Sequence, residues 1–147
     1  MILIGFYTIL FIYVLFIGAF IYGFFKSEKV QIKHFDAKTS FTIVVPFRNE
    51  KEHLPKLLMS LSFLDYPKKL FEVILVDDDS EEEFRIQNLE FVMKCLDSRI
   101  QVIKNNRKTN SPKKDAINTA IAMAKNEWII TTDADCMVPS NWLKIIN

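Results

Sequence analysis

Glycine is scarce in this chain of 147 residues, and its distribution excludes two common nucleotide-binding motifs. The three glycines are Gly5, Gly18 and Gly23, so the chain contains none after residue 23. The P-loop and the G-x-G-x-x-G turn both need glycines where the backbone approaches a phosphate group. Any phosphate bound by the rest of the chain must therefore be held by a metal ion, by side chains or by the start of a helix.

Cysteine is also scarce and the net charge is small, and both facts narrow the functional class. Cys95 and Cys136 are too few and too isolated for a disulfide framework or a zinc site, and they fit a reducing compartment. A net charge of +1 gives no indication of a nucleic-acid-binding surface. We therefore expect no nucleic-acid partner.

Residues 2–25 contain no charged side chain, and 24 residues of this kind are enough to cross a bilayer core, which needs about 20. The segment lacks a preceding basic region and a following A-x-A cleavage site, so a cleaved signal peptide fits poorly. Four lysines follow the span, and the positive-inside rule then predicts a cytoplasmic location for the rest of the chain. These lysines are Lys26, Lys29, Lys33 and Lys38.

Beyond the span, short apolar runs alternate with amphipathic segments. The apolar runs predict strands at residues 41–46, 71–76, 100–103 and 128–130, the last of them buried on both faces. Strands that alternate with helices indicate an α/β fold with a doubly wound, mostly parallel sheet. We predict one transmembrane helix at 1–25, a linker at 26–40 and one domain at 41–147.

Three helices are predicted between these strands by their capping residues. The first begins near Leu54, the second follows a capping box formed by Ser80 and Glu83 and runs to about Leu96, and the third begins after Ser111. Apolar side chains at helical spacing are expected to face the sheet, among them Ile121 in the third helix.

Two aspartates, Asp133 and Asp135, directly follow the fourth predicted strand. Neighbouring carboxylates repel each other unless a proton or a cation lies between them, and hard ions such as Mg²⁺ and Mn²⁺ prefer oxygen ligands. The alternative is an aspartate-rich turn in contact with solvent. Because the polar segments at 48–50 and 77–79 also follow strands, we expect all three to meet at one edge of the sheet.

Several other residues have both a functional and a structural interpretation. Asp77 and Asp78 are predicted either to bind a base or ribose or to cap the sheet edge. Arg48 and Glu50 are predicted to contact a ligand, with a plain surface ion pair as the alternative. Lys113 lies in the first turn of a helix, where the helix dipole disfavours a cation unless an anion binds nearby.

Three further residues are interpreted structurally. His53 is predicted to mark a helix start, Cys136 to fill a small buried space and Trp142 to join the core.

Three segments in this order resemble the inverting family-2 glycosyltransferases of the GT-A fold. They read FTIVVPFRNE, VILVDDDS and KKDAINTAIAMAKNEWIITTDADC, and the resemblance covers nearly all of residues 41–147. It implies transfer of a sugar from a nucleoside-diphosphate sugar, most simply a UDP-sugar, with Mn²⁺ or Mg²⁺ as the cofactor. The implied acceptor is a saccharide or a lipid-linked molecule.

The resemblance also implies roles for individual residues. Pro46, Arg48 and Glu50 border the nucleotide, and Asp77 or Asp78 contacts its base. Lys113 lies near the diphosphate, and Asp133 and Asp135 hold the metal ion and the sugar nucleotide.

The chain departs from the family pattern in two ways. Asp79 and Pro112 stand where the family often has glycine. In addition, no acidic residue follows Asp135, so the catalytic base expected on a later segment and the acceptor-binding half are absent. The sequence therefore predicts the donor-binding half of an enzyme, which we expect to be inactive alone.

Two alternatives from other functional classes remain open at this point. One is a membrane-anchored nucleotide-binding or regulatory module without transferase activity. The other is a phosphotransfer enzyme with paired aspartates, although such an enzyme usually carries its acids after the first strand.

Overall fold

The computed structural model describes residues 2–26, 36–81 and 99–147. The chain divides into two compact units, Met1–Gln31 and Ile32–Asn147. In the first unit, helix α1 (Ile2–Lys26) has 25 residues, and its described side chains are exposed. This helix is long and apolar enough to cross a membrane, a criterion that a signal sequence near an N-terminus also meets.

The second unit is built on a four-stranded sheet in the order β3-β2-β1-β4. Its strands are β1 (Phe41–Phe47), β2 (Phe71–Asp77), β3 (Ile100–Lys104) and β4 (Trp128–Thr131). All the pairings are parallel, so the strands end along one side of the sheet, the carboxyl edge, and begin along the other, the amino edge. The central strands β1 and β2 are almost completely buried, as their largely apolar sequences predict.

Three helices and one 3₁₀ turn connect or follow the strands in the described part of this unit. They are α2 (Leu54–Ser62), the 3₁₀ turn (Lys68–Leu70), α3 (Pro112–Ile121) and α4 (Trp142–Ile146). His53 directly precedes α2 and Ser111 directly precedes α3, as predicted, and each helix has a proline in its first turn. The helix predicted from its capping box to about Leu96 lies outside the described residues.

Helices cover both faces of the sheet, which confirms the predicted doubly wound α/β fold. The leucines of α2 belong to one buried cluster with Ile43 and Val45. Ala116 and Ala120 of α3 belong to a second cluster with Val44. Successive residues of β1 therefore contact different helices, because adjacent side chains of a strand point to opposite faces.

Three predictions of burial are wrong. Trp128 is 60% exposed, and Ile129 and Ile130 are partly buried, because β4 pairs with β1 on one side and with no described strand on the other. Ile121 is exposed as well, since α3 approaches the sheet through its small alanines. Cys136 is exposed in the loop after β4, whereas Trp142 packs against the core as predicted.

Candidate functional site

A cleft of about 470 Å³ opens at the carboxyl edge, beyond the ends of β1, β2 and β4. Its walls come from segments far apart in the sequence, which the parallel sheet brings to one edge. Seven of the eight residues predicted to bind the nucleotide or the metal line this cleft. They are Pro46, Arg48, Glu50, Asp78, Lys113, Asp133 and Asp135.

The loops after β1 and β2 are joined by hydrogen bonds, and together they form one wall of the cleft. The backbone N–H of Asn49 donates to Ser80 Oγ at 3.0 Å, and the backbone N–H of Glu81 donates to Asn49 Oδ1 at 3.0 Å. Asn49 and Asp79 have φ angles of 55° and 66°, in the left-handed region that favours glycine. Asn and Asp tolerate this region better than other residues with side chains, so Asp79 keeps the turn in which the family often has glycine.

Asp77 is the predicted site residue that does not line the cleft. It is buried, and its Oδ1 accepts a hydrogen bond from the backbone N–H of Ser80 at 2.8 Å. Its carbonyl oxygen accepts another from the backbone N–H of Asn105 at 2.8 Å. Asp77 therefore holds the loop after β2 against the chain that leaves β3, and its predicted nucleotide contact remains a prediction.

Asp78 lines the cleft and is held by two side chains from the segment after β3. Arg107 donates from Nε to Asp78 Oδ1 at 2.6 Å and from Nη2 to Oδ2 at 2.8 Å, and Asn105 Nδ2 donates to Oδ1 at 2.7 Å. The hydrogen bonds from Arg107 lower the pKa of Asp78, with a smaller contribution from Asn105. Asp78 is therefore an ionised hydrogen-bond acceptor at neutral pH.

Arg107 is the functional candidate that sequence reasoning missed. The signal available in the sequence was the basic segment after β3, but nothing local indicates which of its cations meets an acid. The pairing arises because β3 lies beside β2, so the chain that leaves β3 passes the end of β2. A carboxylate has about four lone-pair sites, and the three side-chain hydrogen bonds to Asp78 leave one of them for a ligand.

Lys113 and Asp133 form an ion pair across the cleft, with Lys113 Nζ 2.6 Å from Asp133 Oδ1. Their side chains are 62% and 54% exposed, so water screens the pair. Lys113 lies at the start of α3, where a cation opposes the helix dipole, and Asp133 offsets part of this cost. Both charges thus remain accessible to a ligand.

The loop that leads into α3 is ordered by Asp115 rather than by Ser111. Ser111 stands at the N-cap position but makes no side-chain capping hydrogen bond. Asp115 is buried, and its Oδ2 accepts hydrogen bonds from the backbone N–H groups of Lys108 and Thr109 at 2.8 and 2.7 Å. These bonds, chiefly the one from Thr109, lower the pKa of Asp115.

Asp133 and Asp135 supply carboxylate oxygens, the ligand type that Mg²⁺ and Mn²⁺ prefer. The described residues contain no cluster of three or more His, Cys, Asp or Glu side chains that could hold a metal ion. Mg²⁺ is commonly held by one or two carboxylates together with water and substrate phosphates, and Mn²⁺ has similar oxygen preferences. Two exposed carboxylates in the lining of the cleft fit that arrangement.

Glu50 belongs to the cleft lining and pairs with the residue before α2. Its Oε2 lies 3.0 Å from His53 Nδ1, which supports the prediction of His53 as a helix-start residue. Arg48 and Glu50, which both belong to the described residues, form no ion pair with each other. Arg48 and Lys113 both line the cleft, so the lining contains two cations.

Comparison with known proteins identifies sugar-nucleotide enzymes with the same fold. TarS of Staphylococcus aureus, a poly(ribitol-phosphate) β-N-acetylglucosaminyltransferase, is 31% identical over 104 residues, which cover 71% of this chain and 18% of TarS. A crystal structure of TarS 1–349 with UDP-GlcNAc has a TM-score of 0.61 at 30% identity, and the match covers 72% of this chain and 29% of that one. A crystal structure of GalNAc-T7 with UDP, GalNAc and Mn²⁺ has a TM-score of 0.62 at 26% identity, and the match covers 74% of this chain and 20% of that one.

The chain spans less than a third of the length of each of these relatives. The glycosyl transferase family 2 profile matches residues 42–146, which include every residue that lines the cleft. This match extends from β1 to α4 and agrees with the parallel sheet and its polar carboxyl edge. The chain belongs to glycosyl transferase family 2.

Proposed function

We propose that residues 41–147 bind the nucleoside-diphosphate sugar donor of a membrane-anchored, metal-dependent glycosyltransferase. The observation that carries the proposal is the cleft in which Arg48 and Lys113 lie beside Asp133 and Asp135. The two cations suit a diphosphate, and the two carboxylates suit a divalent ion that the diphosphate also binds. As acceptor we propose a saccharide or a lipid-linked molecule, in keeping with the polymer acceptor in the name of TarS.

The proposed metal ligands are Asp133 and Asp135. A bound Mg²⁺ or Mn²⁺ would supply Lewis-acid stabilisation of the nucleoside-diphosphate leaving group, a contribution of several kcal/mol. Lys113 can exchange Asp133 for a diphosphate oxygen at little cost, because an exposed ion pair is worth about 0–1 kcal/mol. The same lysine therefore balances the Asp133 charge before binding and the diphosphate charge afterwards.

We propose UDP as the nucleotide on the basis of Asp78. An ionised carboxylate accepts hydrogen bonds and donates none, so its remaining lone pair suits an N–H donor, and we propose that it faces the ring nitrogen of the base. Uracil has this group at N3 and guanine at N1, whereas the Watson–Crick edges of cytosine and adenine present an acceptor at the corresponding ring nitrogen. The UDP complexes of TarS and GalNAc-T7 support uracil over guanine.

The membrane part of the proposal rests on α1. We propose residues 1–25 as a transmembrane helix and residues 26–40 as a linker, with the donor-binding domain in the cytoplasm. Support comes from the length and composition of α1, from the start of β1 at Phe41 and from the lysines that follow the apolar span.

The test is calorimetric titration of the full chain in detergent with UDP, in Mn²⁺ and in EDTA. We expect Mn²⁺-dependent binding at micromolar to millimolar affinity, roughly −8 to −4 kcal/mol. Asp135→Asn should remove the Mn²⁺-dependent part. The matched control is Asp36→Asn, since Asp36 is an exposed aspartate that precedes β1 at the amino edge. Equal titration heats for wild type and Asp135→Asn would favour an aspartate-rich turn in contact with solvent.

A nucleotide series tests the base separately. At a fixed Mn²⁺ concentration, UDP and GDP should bind more tightly than CDP and ADP, by about tenfold or more for one well-placed hydrogen bond to a charged group. Asp78→Ala should weaken the binding of UDP and GDP and leave the binding of CDP and ADP nearly unchanged. Uniform weakening of all four nucleotides would contradict a role for Asp78 in base recognition.

A further inference from the structure

A second depression, of about 260 Å³, lies at the amino edge of the sheet, opposite the donor cleft. It is formed where β2 and β3 begin and where the chain leaves α3 for β4. Its lining contains four cations and one acid, and we call the four cations the amino-edge cluster. The cluster consists of Lys68, Lys69, Arg99 and Lys125.

The one acid in this lining is already used inside the domain. Glu72 is buried, and its Oε1 accepts hydrogen bonds from Thr42 Oγ1 and from the backbone N–H of Lys125, each at 2.7 Å. Lys125 Nζ lies 3.8 Å from Glu72 Oε2, but the Lys125 side chain is 70% exposed. Glu72 therefore offsets one charge of the cluster, and the exposed Glu127, directly before β4, offsets a second, which leaves two positive charges in excess.

The other cations are held at the surface without an acidic partner among the described residues. Lys68 and Lys69 are exposed on the 3₁₀ turn before β2 and form no ion pair with a described residue. The Arg99 guanidinium lies 4.8 Å from the centre of the Phe71 ring, a cation–π contact that keeps the charge at the rim. These positions present fixed positive charge to an external anion.

Exposed aromatic side chains occur at the same edge. Phe63, directly after α2, is 66% exposed, and Trp128, at the start of β4, is 60% exposed. Trp128 lies at the amino edge because it is the first residue of β4. Phe63 lies there because α2 starts near the end of β1 and ends before β2 begins. Basic and aromatic side chains together are the composition that proteins place at the membrane–water interface.

We propose that the amino-edge cluster docks on the headgroups of an anionic bilayer, so that the donor cleft opens away from the lipid surface. The inference rests on the proposed membrane location of the chain. The polypeptide enters the sheet at this edge, at Phe41, after residues 27–40, which reach at most about 50 Å when fully extended. Each basic residue near such a surface strengthens attraction about fivefold, and the effect falls off within a Debye length.

The experiment places the full chain in nanodiscs and measures acetylation rates of individual lysines by mass spectrometry. One nanodisc set contains phosphatidylcholine alone, and the other contains about 30% phosphatidylglycerol to supply anionic headgroups. We expect acetylation of Lys68, Lys69 and Lys125 to slow by about fivefold or more in the anionic set, and about 0.5 M NaCl to reverse this protection. Lys51 and Lys56, exposed near the start of α2, are the internal controls and should react equally in both sets.

Charge-reversal variants extend the test. The double variant Lys68→Glu with Lys69→Glu should abolish protection of Lys125 in anionic nanodiscs, whereas Lys51→Glu with Lys56→Glu should preserve it. Equal acetylation rates in the two nanodisc sets would overturn the proposal. Protection by inorganic phosphate in neutral nanodiscs would also overturn it, because that result would identify a site for small anions.

The outcome can be separated from failure of the other proposals. If α1 does not insert, the chain will not enter nanodiscs, and co-sedimentation with anionic vesicles then compares the same two double variants. Weaker sedimentation of the Lys68→Glu, Lys69→Glu variant alone would support the docking surface, and equal sedimentation would refute it. Neither measurement depends on donor binding.

Discussion

Replacing Lys113 with methionine should change metal binding and nucleotide binding in opposite directions. The lysine contacts Asp133, one of the two proposed metal ligands, with 2.6 Å between Nζ and Oδ1. In the absence of nucleotide it competes with a metal ion for that carboxylate. In the presence of nucleotide it is proposed to move to the diphosphate.

The structure gives the size of each effect. Both side chains are more than half exposed, so the ion pair is worth about 0–1 kcal/mol, and its loss should strengthen binding of Mn²⁺ alone by at most about fivefold. A hydrogen bond from a cation to a phosphate oxygen is worth about 1.5–3 kcal/mol, so UDP binding in Mn²⁺ should weaken by about 10- to 150-fold. The second effect is the larger, because a bound diphosphate excludes water from the lysine.

The assay consists of two titrations of the full chain in detergent, one with MnCl₂ and one with UDP at constant Mn²⁺. Lys114→Met is the matched control, since Lys114 is the next residue, is exposed and does not line the cleft. It removes the same charge and should change neither affinity by more than about twofold, as expected for long-range charge effects at physiological salt. Equal UDP affinities of Lys113→Met and wild type would refute the proposed exchange of partners. Equal losses of UDP affinity in Lys113→Met and Lys114→Met would also refute it.

The remaining predictions concern the turn after β2, the acid stability and the topology. Asp79→Gly should be neutral or raise the melting temperature, whereas Asp79→Val should lower it by the equivalent of about 1–2 kcal/mol, because φ at this residue is 66°. The pKa values of Asp78 and Asp115 are lowered in the fold, so their stabilisation is complete above the unfolded value of about 3.9 and is lost as pH falls through the folded values. Circular dichroism melts should accordingly show that the difference in melting temperature between wild type and Asp115→Asn shrinks as pH falls below about 4. A difference in melting temperature that stays constant with pH would contradict this. A reporter that is active only in the cytosol should be active when it is fused after Asn147, because this end of the chain is predicted to be cytoplasmic. Activity of a reporter that requires export would refute the predicted orientation.

The fold class and most of the site residues follow from sequence patterns alone. Unbroken apolar runs that alternate with amphipathic segments specify buried parallel strands and covering helices, since each pattern reflects local burial. Polar residues that directly follow the strands of a parallel sheet necessarily lie at the same edge, because all the strands end there. For this reason the sequence alone assigns Arg48, Asp78 and the pair Asp133 and Asp135 to one cleft.

Which charged residues pair with each other depends on contacts between elements of the folded domain. Strand order places β3 beside β2, and that neighbour relation brings Arg107 to Asp78. Asp77 is used within its own turn, where its Oδ1 accepts a hydrogen bond from the backbone N–H of Ser80. The exposure of Trp128 likewise depends on β4 having one described neighbour, which a buried-strand pattern does not reveal. Local sequence specifies which segments form strands or helices and which side chains share a face of each element. Contacts between elements depend on sheet order and on the path of the loops, and these are set by the packing of the whole domain.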